Sequence, residues 1–186
     1  MEPVAIQITR QVDPKKGETT ITLEVEGRQI TVIVLSDERR EGIRVQLPSG
    51  LLIGEERQHG TNGELRQRVR FPSEDACIRT STLGEGAGWQ NAHSHRETRE
   101  QYVVREGRIC FVELDADGVL HGCIYGPGEV FVTTPGRAHS LYVFGGTVFL
   151  TTKFGGAIKD WEPSPELDAR TKPLSEAHIL ERFPTS

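Results

Sequence analysis

Four side chains have the types and spacing for chemistry: His93, His95, Glu100 and His139. His93 and His95 stand two apart in the segment NAHSH. Residues i and i+2 of a strand project from one face, so both imidazoles should point the same way. Glu100 opens the segment EQYVV, and His139 begins a further strand in PGRAHSLYV. Three neutral imidazoles and one carboxylate suit a single divalent ion, one of Fe, Mn, Ni, Co or Zn, with positions left for substrate or water. Glu97 is a rival carboxylate, but it falls in the expected turn after His95. The remaining histidines are expected to be ordinary: His59 in a polar loop, His121 in the strand VLHGCIY and His178 on a terminal helix.

Parity supplies the expected surroundings. If His93 and His95 face inward, Asn91 and Trp89 share their face, and Tyr102 and Val104 share that of Glu100. Asn91, Phe111 and Arg137 are the expected substrate contacts. Arg137 stands two residues before His139, and its guanidinium would hold a carboxylate or phosphate bidentately. Tyr102 is the candidate acid–base group; filling the interior is its more ordinary use. Cys110 and Cys123, flanked by apolar residues, read as small core side chains.

The elements that must position these groups are strands. Apolar residues alternate at Ile21, Leu23 and Val25, again at Ile30, Val32 and Val34, and again at Ile43, Val45 and Leu47. Glu26–Gly27 and Asn62–Gly63 are hairpin turns. The polar flanks of the second turn suggest a hairpin with one face in solvent. Leu65, Val69 and Phe71 continue the strand-like spacing beyond it. From Ala87 onward, turn signals recur about every 8–12 residues, the spacing of a sandwich or barrel. Strands are expected near 89–95, 100–105, 108–114, 119–125, 129–134, 137–143 and 147–154. The segment EPSPELDARTKP reads as a loop, and Ser175 caps an expected helix to about Arg182. The fold class is therefore all-β with minor helix.

Gly88, His93, His95, Glu100 and Gly107 together resemble the first motif of the cupin superfamily, and Gly128, Gly136 and His139 resemble the second. The chain departs from the family pattern in the spacing of Gly88 from His93, in Pro135 lying directly before Gly136, and in Val143, where the family has Asn. None of these departures touches a ligand position. The resemblance covers residues 84–155, under half of the chain. It implies a jelly-roll barrel with one metal ion inside, and cupins commonly pair, so a homodimer is expected. The superfamily spans isomerases, epimerases, dioxygenases, decarboxylases and sensors, so the reaction is left open.

Composition sets the outer bounds. The 186 residues carry 22 basic and 27 acidic side chains, a formal charge of −5, which argues against nucleic acid as a partner. Twenty Gly and ten Pro fit a chain of many short strands. No apolar run reaches the ~18 residues of a membrane span, and the opening MEPVAIQITR has no signal-peptide pattern. Three Cys without CxxC spacing suggest reduced thiols in the cytoplasm. The expected organisation is a strand-rich N-terminal extension (1–70), a barrel (71–160) and a C-terminal loop with a short helix (161–186). The expected function is a metal-binding protein, more an enzyme than not, acting on a small polar molecule by isomerase/epimerase-like or oxygen-dependent chemistry. A non-catalytic ligand-binding or sensing module is the alternative.

Overall fold

Period-two alternation in the first third of the chain builds one long antiparallel meander. The computed structural model describes residues 6–49, 52–70, 76–84, 88–156 and 160–186. Strands β1 (Ile6–Asp13), β2 (Glu18–Val25), β3 (Arg28–Ser36), β4 (Arg40–Gln46), β5 (Leu52–His59), β6 (Glu64–Arg70) and β7 (Ala76–Thr82) follow one another across the sheet. The β2–β3 connection is a two-residue turn in which Glu26 and Gly27 both take positive φ, 50° and 72°. That turn matches the right-handed twist of the flanking strands. β1 was not foreseen: its residues are exposed almost throughout, and it forms the outer edge of the sheet.

The barrel strands are β8 (Gly88–Trp89), β9 (His93–His95), β10 (Arg99–Glu106), β11 (Ile109–Leu114), β12 (Leu120–Tyr125), β13 (Val130–Val132), β14 (His139–Val143), β15 (Val148–Phe154) and β16 (Trp161–Pro163). Ten strands form the larger sheet, in the order β1-β2-β3-β4-β5-β6-β7-β15-β10-β13. Six form the smaller, β12-β11-β14-β9-β16, with β8 paired to β14. Tyr102, Val104 and Phe149 of the larger sheet pack on Ile109, Phe111 and Leu141 of the smaller. The molecule is thus an all-β protein whose two sheets face each other as in a jelly-roll barrel. The N-terminal strands are hydrogen-bonded into the same sheet as β15, β10 and β13, through β6 and β7.

β11 is buried on both faces, as its unbroken apolar run ICFV requires. Ile109 and Phe111 face the barrel interior, whereas Cys110, Val112 and Leu114 face two C-terminal helices. These are α1 (Pro165–Thr171) and α2 (Glu176–Arg182), which place Leu167 and Ile179 at 0% exposure in that outer core. α2 is the expected helix, and Ser175 caps it. α1 corrects the reading of EPSPELDARTKP as a loop. Ser164 caps the helix, Pro165 starts it, and Glu166 and Asp168 complement its positive end. Those start signals were present in the sequence; the three prolines and the charges masked them.

Two further observations bear on the site. The strand expected at 89–95 is broken between β8 and β9. The hairpin at Asn62–Gly63 has one face in solvent as expected, with Glu55, Arg57 and His59 exposed, but its opposite face is polar as well: Glu64 is 1% exposed and that face continues into the barrel. Phe71 lies outside the described residues. Among the described residues, no helix is long and apolar enough to cross a membrane.

A candidate metal centre

The register of the smaller sheet brings the two motifs together. His139 on β14 pairs directly with His93 on β9. Gly136, at φ 80°, turns the chain before β14, and its N–H donates to the His95 carbonyl at 2.6 Å. A side chain at that φ would be strained. The larger sheet contributes Glu100 from β10. Its position is fixed by a backbone N–H donated to Thr133 Oγ1 at 2.9 Å and by the Tyr102 hydroxyl, which donates to Oε2 at 2.5 Å.

Each imidazole is oriented by an oxygen on its Nδ1 side. His93 Nδ1 lies 3.0 Å from the Asn91 carbonyl, His139 Nδ1 3.1 Å from the Arg137 carbonyl and His95 Nδ1 2.8 Å from Asp160 Oδ1. An Nδ1–H donated to each acceptor leaves every Nε2 with a free lone pair. All three Nε2 atoms turn toward Glu100: that of His139 at 3.1 Å and that of His93 at 3.8 Å from Oε2, and that of His95 at 3.4 Å from Oε1. Ligand atoms of His93, Glu100 and His139 lie within 4.8 Å of one another, close to twice a metal–ligand bond of ~2.1 Å. His93 Nε2 is buried without a hydrogen-bond partner, an orphan lone pair of the kind a metal ion satisfies. The donor set therefore fits a divalent ion.

Electrostatics agree. Burial alone would raise the Glu100 carboxyl. The neighbouring imidazoles of His139, His93 and His95 and the Lys153 charge overcome it and hold the group well below the usual carboxylate range. Burial lowers the His93 imidazole and keeps it neutral. The Tyr102 hydroxyl is pushed well above its ordinary value by burial and then by the adjacent carboxylate. It stays protonated and donates to Glu100 rather than to the cavity.

Several groups at the site were not read from the sequence. Lys153 pairs with Glu100 across β15–β10. Its ammonium contacts Glu100 Oε1 and lies 3.3 Å from His95 Nε2. A lysine in the strand VFLTTKF, opposite an inward carboxylate, was the available signal. Asp160 holds His95 and also accepts the backbone N–H groups of Glu97 and Thr98 at 2.8 and 2.9 Å. Those bonds outweigh burial and keep it well below the ordinary carboxylate value. Trp161 stacks on His93, with ring centroids 5.6 Å apart. A cavity of about 170 Å³ opens over the cluster, walled in part by Arg66, Arg68, Gln90, Thr151, Lys153 and Trp161.

The expected substrate contacts lie elsewhere. Asn91 is exposed, and its side chain accepts from Lys172 at 2.8 Å. Trp89 turns outward and donates to the Leu174 carbonyl at 3.1 Å. The break between β8 and β9 inverts the parity, so Gln90 reaches the cavity in their place. Arg137 donates to Glu113 at 2.7 Å and does not line the cavity. Phe111 is a core residue, its ring 5.9 Å from that of His139. Glu97 is exposed beside the cluster. His121 pairs with Asp115 at 2.7 Å on the outside, and His178 serves the cap of α2.

No family model and no curated protein matches this chain. Among solved structures, oxalate decarboxylase from Bacillus subtilis at pH 4.6 superposes with TM-score 0.47 and 18% identity, over 59% of this chain and 30% of that one. A structure of the same enzyme concerned with its Mn(II) centres gives TM-score 0.45 and 19% identity, over 52% and 26%. This chain therefore spans less than a third of the length of that enzyme.

Proposed function

We propose that the barrel holds one divalent metal ion between His93, His95, Glu100 and His139 and acts on a small polar molecule bound above it. One observation carries this reading: three imidazoles, each fixed through Nδ1, turn Nε2 toward one buried carboxylate, and His93 Nε2 has no other partner. Bound there, the ion would supply Lewis acidity that polarises a carbonyl or hydroxyl oxygen. The chain's own groups do the rest. Tyr102 holds Glu100 in place through its hydroxyl. Asp160 fixes the His95 ring. Lys153 lies at the cavity wall against Glu100. Isomerisation or epimerisation and oxygen-dependent oxidation are the two reaction classes this site accommodates. Turnover without O₂ marks the first; substrate-dependent O₂ uptake with iron(II) marks the second.

A metal-free binding or sensing module is the second reading. Lys153 favours it, because the chain itself presents a cation to Glu100 and to His95 Nε2. Metal analysis of protein purified without chelator or metal-affinity tag separates the two. About one ion per chain is expected, and His139→Ala should lose it. No bound metal, together with ligand-induced thermal stabilisation and no turnover, establishes the second reading.

The homodimer has a surface available. β1 is an edge strand whose Ile6, Ile8 and Val12 are 59–66% exposed. Such an edge pairs readily with another copy, and a monomer mass by light scattering would dismiss it. The unpaired thiols of Cys77, Cys110 and Cys123 suit a reducing cytoplasm.

A further inference from the structure

Arg66, Arg68 and Arg70 stand at i, i+2 and i+4 of β6, so one face of that strand carries three guanidinium groups. Register fixes which face it is. Arg66 pairs with Thr80, Arg68 with Ile78 and Arg70 with Ala76 on β7. Thr80, Ile78 and Ala76 pair in turn with Phe149, Thr151 and Lys153 on β15, and Lys153 pairs with Glu100. The arginine face is therefore the barrel-interior face, and Arg66 and Arg68 wall the same cavity as His93 and Glu100.

This face holds more positive charge than it neutralises. Arg44 joins Arg68 and Arg70 of β6 through Glu56. With Arg66 and Lys153 there are five cations against the carboxylates of Glu56, Glu64 and Glu100, an excess of two positive charges before any metal binds. Arg66 spends its Nε and Nη2 on Glu64 Oε2, at 2.9 and 2.6 Å. Arg68 differs. Its hydrogen bond among the described residues is Nη1 to Glu56 Oε1, at a long 3.3 Å, and Arg70 shares that oxygen at 3.1 Å. Glu56 Oε2 belongs to Arg44. Arg70 Nε is buried with no hydrogen-bond partner among the described residues. Burial and the neighbouring guanidinium of Arg70 lower the Arg68 pKa, with Glu56 only partly compensating. Arg68 is half-buried, its side chain 25% exposed at the cavity wall, so the N–H groups not used on Glu56 are open to a ligand. The planar fork of Arg is shaped for the two oxygens of a carboxylate or phosphate.

We propose that the molecule bound at the barrel mouth is a small oxyanion, a carboxylate or a phosphate, and that Arg68 recognises its charged group while the other end reaches the His–Glu cluster. This deepens the metal-site reading and rests on it. The cavity sets the size: about 170 Å³ is the volume of five or six waters at ~30 Å³ each, room for a molecule of a few carbons. Arg68 is then the residue that determines specificity, the role expected of Arg137 from the sequence. Arg137 is committed to Glu113 outside the cavity.

Glycerate, glycerol 3-phosphate and glycerol share a three-carbon frame and differ in the charged group. Titrating each into metal-loaded protein by calorimetry, with metal content measured on the same preparation, tests the proposal. At least one of the two anions should bind ten-fold or more tightly than glycerol; which one it is separates carboxylate from phosphate. Arg68→Gln should abolish that preference with metal content unchanged, and Arg68→Lys, which keeps the charge but not the fork, should retain part of it. Equal binding of anions and glycerol, or an anion preference that survives Arg68→Gln, overturns the proposal. Should Arg68→Gln not fold, Arg68→Lys decides alone, and undiminished anion affinity in it is the contrary result. Absence of metal from the parent protein counts against the cluster reading, and it is read independently of the anion preference.

Discussion

The two ends of the larger sheet have the same alternation and opposite polarity. In the barrel, the interior face carries Phe149, Val104 and Tyr102, at 0–3% exposure. Followed outward through the strand register, that same face becomes Arg68 and Glu56, then Thr20 and Gln11. Apart from Ile33 and the buried Leu35 of β3, the apolar residues of the meander occupy the other face: Ile8 opposite Leu23, Leu23 opposite Ile30, and Val32 opposite Val45. Ile8 is 66% exposed, whereas Phe149 is 1% exposed. Strand formation therefore does not distinguish the two ends; a second layer does. The smaller sheet covers the barrel end. Among the described residues nothing covers the apolar face of β1–β4, and that inversion leaves the polar face of β6 free to serve the cavity.

The largest contrast between the ends should be chemical. His139→Ala should weaken metal binding by more than ~100-fold with far-UV circular dichroism unchanged, because a loss of ~10–100-fold is already typical of groups that merely orient a ligand. Asp160→Asn is such a group and should fall within that range. Undiminished metal affinity in both variants would dissolve the distinction between the barrel end and the rest.

Packing comes next. Phe149→Ala should cost ~3–5 kcal/mol in denaturant unfolding. Glu56→Gln tests the join between the two ends and should cost about 3 kcal/mol, since it leaves three arginines without their shared carboxylate. Burial raises the Glu56 carboxyl, but the Arg44 hydrogen bonds and the Arg44, Arg70 and Arg68 charges outweigh it and lower its folded-state pKa below the ordinary 4.5. Its contribution is thus present above about pH 4.5 and is lost as pH falls through the lowered native value. The Glu56→Gln variant should show a flatter loss of stability in acid than the parent.

Thiol reactivity sharpens the same contrast with little effect on stability. Burial pushes Cys110 up to about 12, so it should resist aromatic disulfide reagents at pH 8 until the barrel unfolds. The smallest effect belongs to the open end: Ile8→Ser should change monomer stability by no more than ~0.5 kcal/mol. A cost near that of Phe149→Ala would mean that a second copy covers this face, and light scattering of the variant would then show dissociation.

Much of the barrel was legible because its signals are local. The turns at Glu106–Gly107, Asp117–Gly118 and Gly145–Gly146 separate strands that fall within a residue or two of those expected. His93 and His95 are recognisable because HxH needs only the period of a strand; Glu100 and His139 join them through the resemblance to the two cupin motifs. Asn91 and Trp89 were misplaced because parity holds only within an unbroken strand, and the strand breaks at residues 90–92. Arg137 was misassigned because its partner, Glu113, lies 24 residues away. The three alternating arginines of β6 were visible, but a polar face beside a hairpin turn looks like solvent until the sheet continues across it.

Residue type, period and turn chemistry are properties of a few neighbours along the chain. They were enough to determine that this protein is built of strands and that His93 and His95 leave the chain two residues apart on one strand face. Only the folded sheets decided that Lys153 meets Glu100, that Asp160 steadies His95 from 65 residues away and that Arg68 opens onto the same cavity. These are pairings across strand register and between layers. One residue of slip in a strand would move each of them to the opposite face, so they are settled by long-range packing and not by local sequence.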